Sequence, residues 1–181
     1  MRKIVVIACI LFSLASLAAA QMRPAGNVFF GYSYYNTNLS SIDRANANGW
    51  EASLEGKVVP WVGIVADFSG HYGSQNFVLF CPGGPCSVNQ NINEHNVLFG
   101  PRVWAPMGKV RPFAEAMIGV GHVNANAAGT DTAFATALGV GFDYRLIPTV
   151  AWRFQGDYVH TRFFGTGQDN ARLSTGIVFR F

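Results

Sequence analysis

The sequence predicts an all-β fold: an eight-stranded antiparallel transmembrane up-and-down β-barrel, preceded by a cleaved signal peptide. Three observations lead there: a short apolar leader, a repeated alternation of apolar and polar residues, and connections that alternate between short and long.

Met1-Arg2-Lys3 opens the chain with positive charge, Ile4 to Leu17 form an apolar run, and Ala18-Ala19-Ala20 precede Gln21 as a small-residue cleavage site. Cleavage between Ala20 and Gln21 is expected, giving a signal peptide over 1–20 and a barrel domain over 21–181. A retained anchor helix is the alternative, but the run is short for one. Cys9 lies inside this run and reads as an apolar filler.

The 181 residues are enough for one domain, with 50% hydrophobic and 13% charged. Beyond the leader no apolar run reaches the length of a membrane helix. Twenty glycines and a 14% aromatic share favour strands and turns. The net charge of +3 does not point to nucleic acid: without Arg2 and Lys3 the 13 basic residues become 11, against 10 acids.

Alternate side chains of a strand face opposite ways, so each strand is read by parity. The first, 27–37, is aromatic on both parities, and its register is left open. In 49–59, Trp50, Leu54 and Val58 oppose Glu51, Ser53, Glu55 and Lys57. In 61–72, Val62, Ile64, Phe68 and Tyr72 oppose Asp67, Ser69 and His71. In 94–103, Val97, Phe99 and Val103 oppose Glu94, Asn96 and Arg102. Ala114, Ala116, Ile118 and Val120 then oppose Arg111, Glu115 and Gly121. In 132–145, Phe134, Leu138, Val140, Phe142 and Tyr144 oppose Ala135, Ala137, Gly139, Gly141 and Asp143. Val150, Trp152, Phe154 and Tyr158 oppose Arg153, Gln155 and Asp157. The last segment sets Leu173, Thr175, Ile177, Phe179 and Phe181 against Arg172, Ser174, Gly176 and Arg180. Each segment is about ten residues, the length a tilted strand needs to cross a bilayer. Open edges cannot be hydrated in lipid, so the sheet must close.

The connections at 59–61, 105–109 and 146–149 are short and contain proline, as tight turns do. Those at 38–48, 73–92, 123–131 and 163–170 are longer and mostly rich in Asn, Gly and Ser. Regular alternation of this kind is the turn-and-loop asymmetry of a membrane barrel, with both termini on the short-turn side.

The polar parity collects the charge. The acids are Glu51, Glu55, Asp67, Glu94, Glu115, Asp143 and Asp157; the bases are Lys57, Arg102, Arg111, Arg145, Arg153, Arg172 and Arg180. All are expected inside or at the rims. Eight strands leave an interior that side chains fill, so a nearly neutral plug of ion pairs is expected rather than an open pore.

Gly49-Trp50-Glu51-Ala52-Ser53, Ala66 to Gly73, Arg111-Pro112-Phe113-Ala114 and Asp157 to Phe163 resemble the outer membrane protein beta-barrel domain proteins, OmpA/OmpX-type barrels of the porin family. The resemblance covers about 27 to 181. It implies residence in the bacterial outer membrane, among its lipids. The terminal Phe181, with Leu173, Thr175, Ile177 and Phe179 at alternate positions before it, resembles the assembly signal read by the barrel-assembly machinery. The family's activities are diverse, so the resemblance implies a place more than a task.

Cys81-Pro82-Gly83-Gly84-Pro85-Cys86 holds the two cysteines that follow the leader, in the longest expected external loop of an exported chain, so a disulfide between Cys81 and Cys86 is expected. Too few ligands accompany them for a metal site. His71, His95, His122 and His160 fall at external strand ends and read as interfacial polar residues beside Tyr and Trp. His71 is expected on the lumen parity and the other three on the opposite one. His160 is the best candidate base for lipid A chemistry. It is expected opposite Leu173, however, with Ser174 on the other face, which argues against a triad. Gly119-x-Gly121 and Gly139-x-Gly141 sit mid-strand and read as relief of crowding, not as nucleotide loops. No catalytic residue, cofactor or metal is assigned. The expected role is structural, in envelope integrity or surface interaction, with external ligands unidentified. A narrow solute channel is the alternative, and a lipid A-modifying enzyme stands third.

Overall fold

Eight strands, each hydrogen-bonded to the next and the last to the first, close the sheet upon itself. The computed structural model describes residues 25–37, 45–81, 84–126 and 129–181, with the backbone alone for 45, 75–81 and 84–90. The strands are β1 (Gly26–Thr37), β2 (Ala45–Val59), β3 (Val62–Cys81), β4 (Gly84–Trp104), β5 (Val110–Ala125), β6 (Gly129–Ile147), β7 (Val150–Thr161) and β8 (Gln168–Arg180). All pairings are antiparallel, and β1 against β8 seals the barrel from Asn27↔Arg180 to Asn36↔Ala171. The expected signal peptide, 1–20, lies outside the described residues. Among the described residues no helix is long and apolar enough to cross a membrane.

The parity of every strand follows the apolar and polar alternation. On β5, Phe113, Glu115 and Met117 are buried while Ala114, Ala116 and Ile118 are exposed. The open register of the first strand is settled by packing: Phe29, Ser33 and Tyr35 point inward, and Phe30 and Tyr32 face out. The outer surface carries Leu54, Phe68, Phe99, Ile118, Leu138, Val140 and Phe179, each exposed. A belt of this kind is intolerable in water and costs nothing in hydrocarbon.

The four longer connections are narrower than their sequence reading. The segment 73–92 is mostly strand: β3 and β4 pair continuously from Val62↔Val103 to Cys81↔Gly84. The segment 123–131 likewise narrows, because β5 and β6 pair out to Ala125↔Gly129. Backbone pairing continues past the apolar belt wherever two strands are already aligned. At 20 and 21 residues, β3 and β4 are about twice the span a tilted strand needs to cross a bilayer.

The interior packs in three layers. Phe29, Ala151 and Val178 lie toward the short turns, and Tyr35, Val65, Leu98, Met117, Ala137 and Val159 lie in the middle. Ile92, Val123, Ala125 and Phe163 close the far end.

Candidate functional site

The inward parities bring seven carboxylates into the lumen: Glu51, Glu55, Asp67, Glu94, Glu115, Asp143 and Asp157 are all buried. The bases distribute differently. Arg102, Arg153 and Arg172 are buried, Lys57, Arg111 and Arg180 are partly exposed near the short turns, and Arg145 is exposed there. Arg111 and Arg180 still turn their guanidinium groups onto the buried Glu55 and Asp143, so five arginines join the carboxylates of the interior while Lys57 and Arg145 lie at the rim.

The ion pairs form two separate groups. Deeper in the barrel, Arg172 reaches Asp157 and Asp67 at 2.8 Å and Glu51 at 3.4 Å. Gln155 donates to Glu51 at 2.7 Å and to Asp157 at 3.1 Å, and Ser69 accepts from Arg172 at 3.1 Å. Nearer the short turns, Arg102 binds Glu115 and Glu55, Arg153 binds Asp143 at 2.7 Å, and Arg180 joins Asp143 at 3.3 Å. Arg111 spans Glu55 at 3.5 Å and Asp143 at 3.9 Å. Aromatic faces cover these guanidinium groups: Phe113 lies 4.4 Å from Arg102 and 4.7 Å from Arg153, and Trp104 lies 4.6 Å from Arg111. Arg and carboxylate so placed compensate much of each other's desolvation.

The row Glu115↔Gly139↔Asp157 explains one glycine. A Cβ on Gly139 would stand 2.1 Å from Asp157 Oδ1 and 2.9 Å from Glu115 Oε1. A side chain there would displace both carboxylates, so the crowding read from the sequence is real.

Above the Arg172 group the lumen holds one carboxylate, Glu94, among neutral polar groups. His71 Nε2 lies 2.8 Å from Ser33 Oγ, and its ring stacks on Tyr35 at 4.5 Å. Tyr35 donates to Glu94 at 2.8 Å. Ser174 donates to Glu51 at 2.5 Å, and its Oγ lies 2.9 Å from the Ser33 hydroxyl. The last tier is apolar. A short 3-10 turn, Phe163–Gly165, folds Phe163 into the mouth against Ile92, Val123 and Ala125, and Phe163 is 0% exposed. A Cβ on Gly121 would come within 2.8 Å of the Phe163 ring. Phe164 takes a left-handed φ of 52°, and its N–H donates to Asp131 at 2.5 Å. Phe163 had no signal in the sequence, because it lies in a connection outside the strand parities. Gln155 and Ser33 did have one, their inward parity.

His160 departs from its expected partner. It lies opposite Asp169, not Leu173, and its Nδ1 is 2.7 Å from Asp169 Oδ1. The tight return through Phe163–Gly165 draws β8 up by several residues, which moves the register. Ser174 faces into the lumen, opposite Gln155. His95 and His122 face out, bonded to Tyr72 at 3.2 Å and Thr132 at 2.7 Å. Among the described residues no cluster of His, Cys, Asp and Glu is arranged to hold a metal. Backbone register sets Cys86 opposite Leu79 and Cys81 opposite Gly84; the expected disulfide concerns side chains outside those described.

A closed barrel of eight antiparallel strands, apolar outside and ionic within, is the architecture of small outer-membrane proteins. The sequence matches the outer membrane protein beta-barrel domain family over residues 4–181. The chain belongs to this family. Its place is the bacterial outer membrane, where a barrel of the family turns its short connections to the periplasm and its longer ones outward. Comparison with curated protein sequences finds no match. Solved structures share the outer-membrane barrel fold. Neisserial surface protein A aligns with TM-score 0.70 and 14% identity, covering 88% of this chain and 100% of its own. The attachment invasion locus protein Ail of Yersinia pestis aligns with TM-score 0.61 and 14% identity over the same shares. OprG of Pseudomonas aeruginosa gives TM-score 0.59 and 10% identity, over 87% of this chain and 96% of its own.

Proposed function

We propose that this barrel is a non-enzymatic, non-conducting element of the outer membrane that serves envelope integrity or contacts at the cell surface. The filled lumen is the observation behind this reading. Arg102, Arg153 and Arg172, among the largest side chains of the interior, are each at most 1% exposed, and Phe163 packs across the external mouth. A solute path would have to part both ion-pair groups and the apolar cap. An esterase-like role would need a nucleophile beside His160, and Ser174 points the other way. Export would leave a mature chain starting at Gln21. The outward row Leu173, Thr175, Ile177, Phe179 and Phe181 would be read by the barrel-assembly machinery.

A strain lacking the protein tests the reading. It should change in detergent sensitivity or surface binding, with small-solute uptake and the lipid A mass spectrum unaltered. Lost uptake would favour a channel, and altered lipid A an enzyme; either would overturn the proposal.

A further inference from the structure

The outer wall carries a polar cleft just beyond its apolar belt. Toward the external end of the barrel, Tyr32 of β1 lies opposite Trp50 of β2, both exposed, in an aromatic row of the kind that marks a membrane–water interface. One rung further out, the outward side chains turn polar. Asn48 lies opposite Tyr72 and Tyr72 opposite Asn93, and beyond them Ser74 faces Asn91. With Asn46 these residues line a cleft of about 590 Å³, within the size range of small-molecule sites. All six are exposed, and their strand parity turns them away from the lumen.

The lining suits hydroxyl groups. Asn48 accepts from the Tyr32 hydroxyl and Asn46 from the Asn36 amide at 2.7 Å, so each has its oxygen engaged and an NH2 group left to donate. Asn91, Asn93 and Ser74 add groups that both donate and accept. Tyr72 supplies an aromatic ring, set edge-on to His95 at 5.6 Å, with its hydroxyl 3.2 Å from His95 Nε2. None of the lining residues is charged.

From this lining we propose that the cleft holds a neutral sugar unit, the headgroup of a glycolipid in the external leaflet. A phosphate would need cations and a metal ion would need carboxylates, and the cleft offers neither. An acyl chain would leave the amides without partners. A peptide strand would need a free sheet edge, whereas β2, β3 and β4 are paired to one another at the Asn48, Tyr72 and Asn93 rung. A hexose meets the remaining requirements, with vicinal hydroxyls for the amide groups and a C–H face for the Tyr72 ring. Its attachment to a lipid follows from place, since outward side chains one rung above the aromatic row face the headgroup layer. The cleft stands outside the lumen, so its occupancy is independent of whether the barrel conducts.

Native mass spectrometry of the refolded barrel, in a detergent without sugar, tests this with digalactosyl diacylglycerol, phosphatidylglycerol and phosphatidylcholine of the same acyl chains. Wild-type protein should retain the glycolipid selectively. Asn91→Ala with Asn93→Ala should lower that retention by about tenfold, as the loss of two hydrogen-bonding side chains warrants, and leave phosphatidylcholine unaffected. Arg162→Gln, in the β7–β8 return, should change nothing. Equal retention of the three lipids by wild type, which needs no variant, would overturn the proposal, as would a preference for phosphatidylglycerol. Displacement of the glycolipid by an equal concentration of digalactosyl glycerol, the same headgroup without its chains, would overturn the assignment to a lipid, because tethering in the membrane would then add nothing.

Discussion

Arg172 is the cation on which three buried carboxylates depend. Two of them are bound at 2.8 Å and the third at 3.4 Å. Breaking a buried ion pair from one side strands the remaining charge, at a cost of about 3–5 kcal/mol. Arg172→Met should therefore destabilise the refolded barrel by about that amount in urea unfolding. Arg162→Ala, at an exposed site, should shift stability by no more than about 0.5 kcal/mol. Equal effects would mean that the Arg172 group contributes little. At this scale the sequence was informative about which residues turn inward, since parity is a property of the strand. It was uninformative about how far a side chain reaches, and so Arg145 and Lys57 were grouped with charges that lie much deeper. The cap residue Phe163 escaped for a different reason: connections carry no period, and a loop folded back into a mouth is decided by tertiary packing alone.

At the scale of the strand, the lipid-facing positions are the most exacting. Ile118 is 57% exposed on the outer face of β5, where its surroundings are acyl chains. Ile118→Arg should cost about 2–4 kcal/mol if the residue sits near mid-membrane, while the same change at Asn124, toward the external end of β5, should cost at most about 1 kcal/mol. A comparison of unfolding free energies in lipid vesicles checks the difference. Strand existence was legible in every segment, and facing in all but the first, because each of the other seven alternates strongly enough to set its own register. Strand ends were not. The extension of β3 and β4 rests on continued backbone pairing, which side-chain alternation neither requires nor forbids. The β7–β8 return, shorter than expected, moved His160 opposite Asp169 for the same reason. On the extended hairpin, Cys81 and Cys86 are diagonal neighbours in backbone register. In an exported protein they should be oxidised, so that a thiol-alkylating reagent labels them only after reduction. Labelling without reduction would refute the bond.

On the scale of the whole molecule the protein is inverted: an apolar exterior, an ionic interior, and a lumen closed by tiers of side chains. Architecture and location could be read from the leader, the parities and the alternating turns. The task could not, since the family's members share a frame and differ in what their ends meet. The central claim is that this lumen is shut. Single-channel recording of the purified barrel in planar bilayers tests it most directly. With Arg102, Arg153 and Arg172 buried among carboxylates and Phe163 across the external mouth, the wild-type protein should give no stable openings. Phe163→Ala alone should not create them, because the ion-paired tiers lie below the cap. Large, long-lived openings of the wild-type barrel would contradict the account.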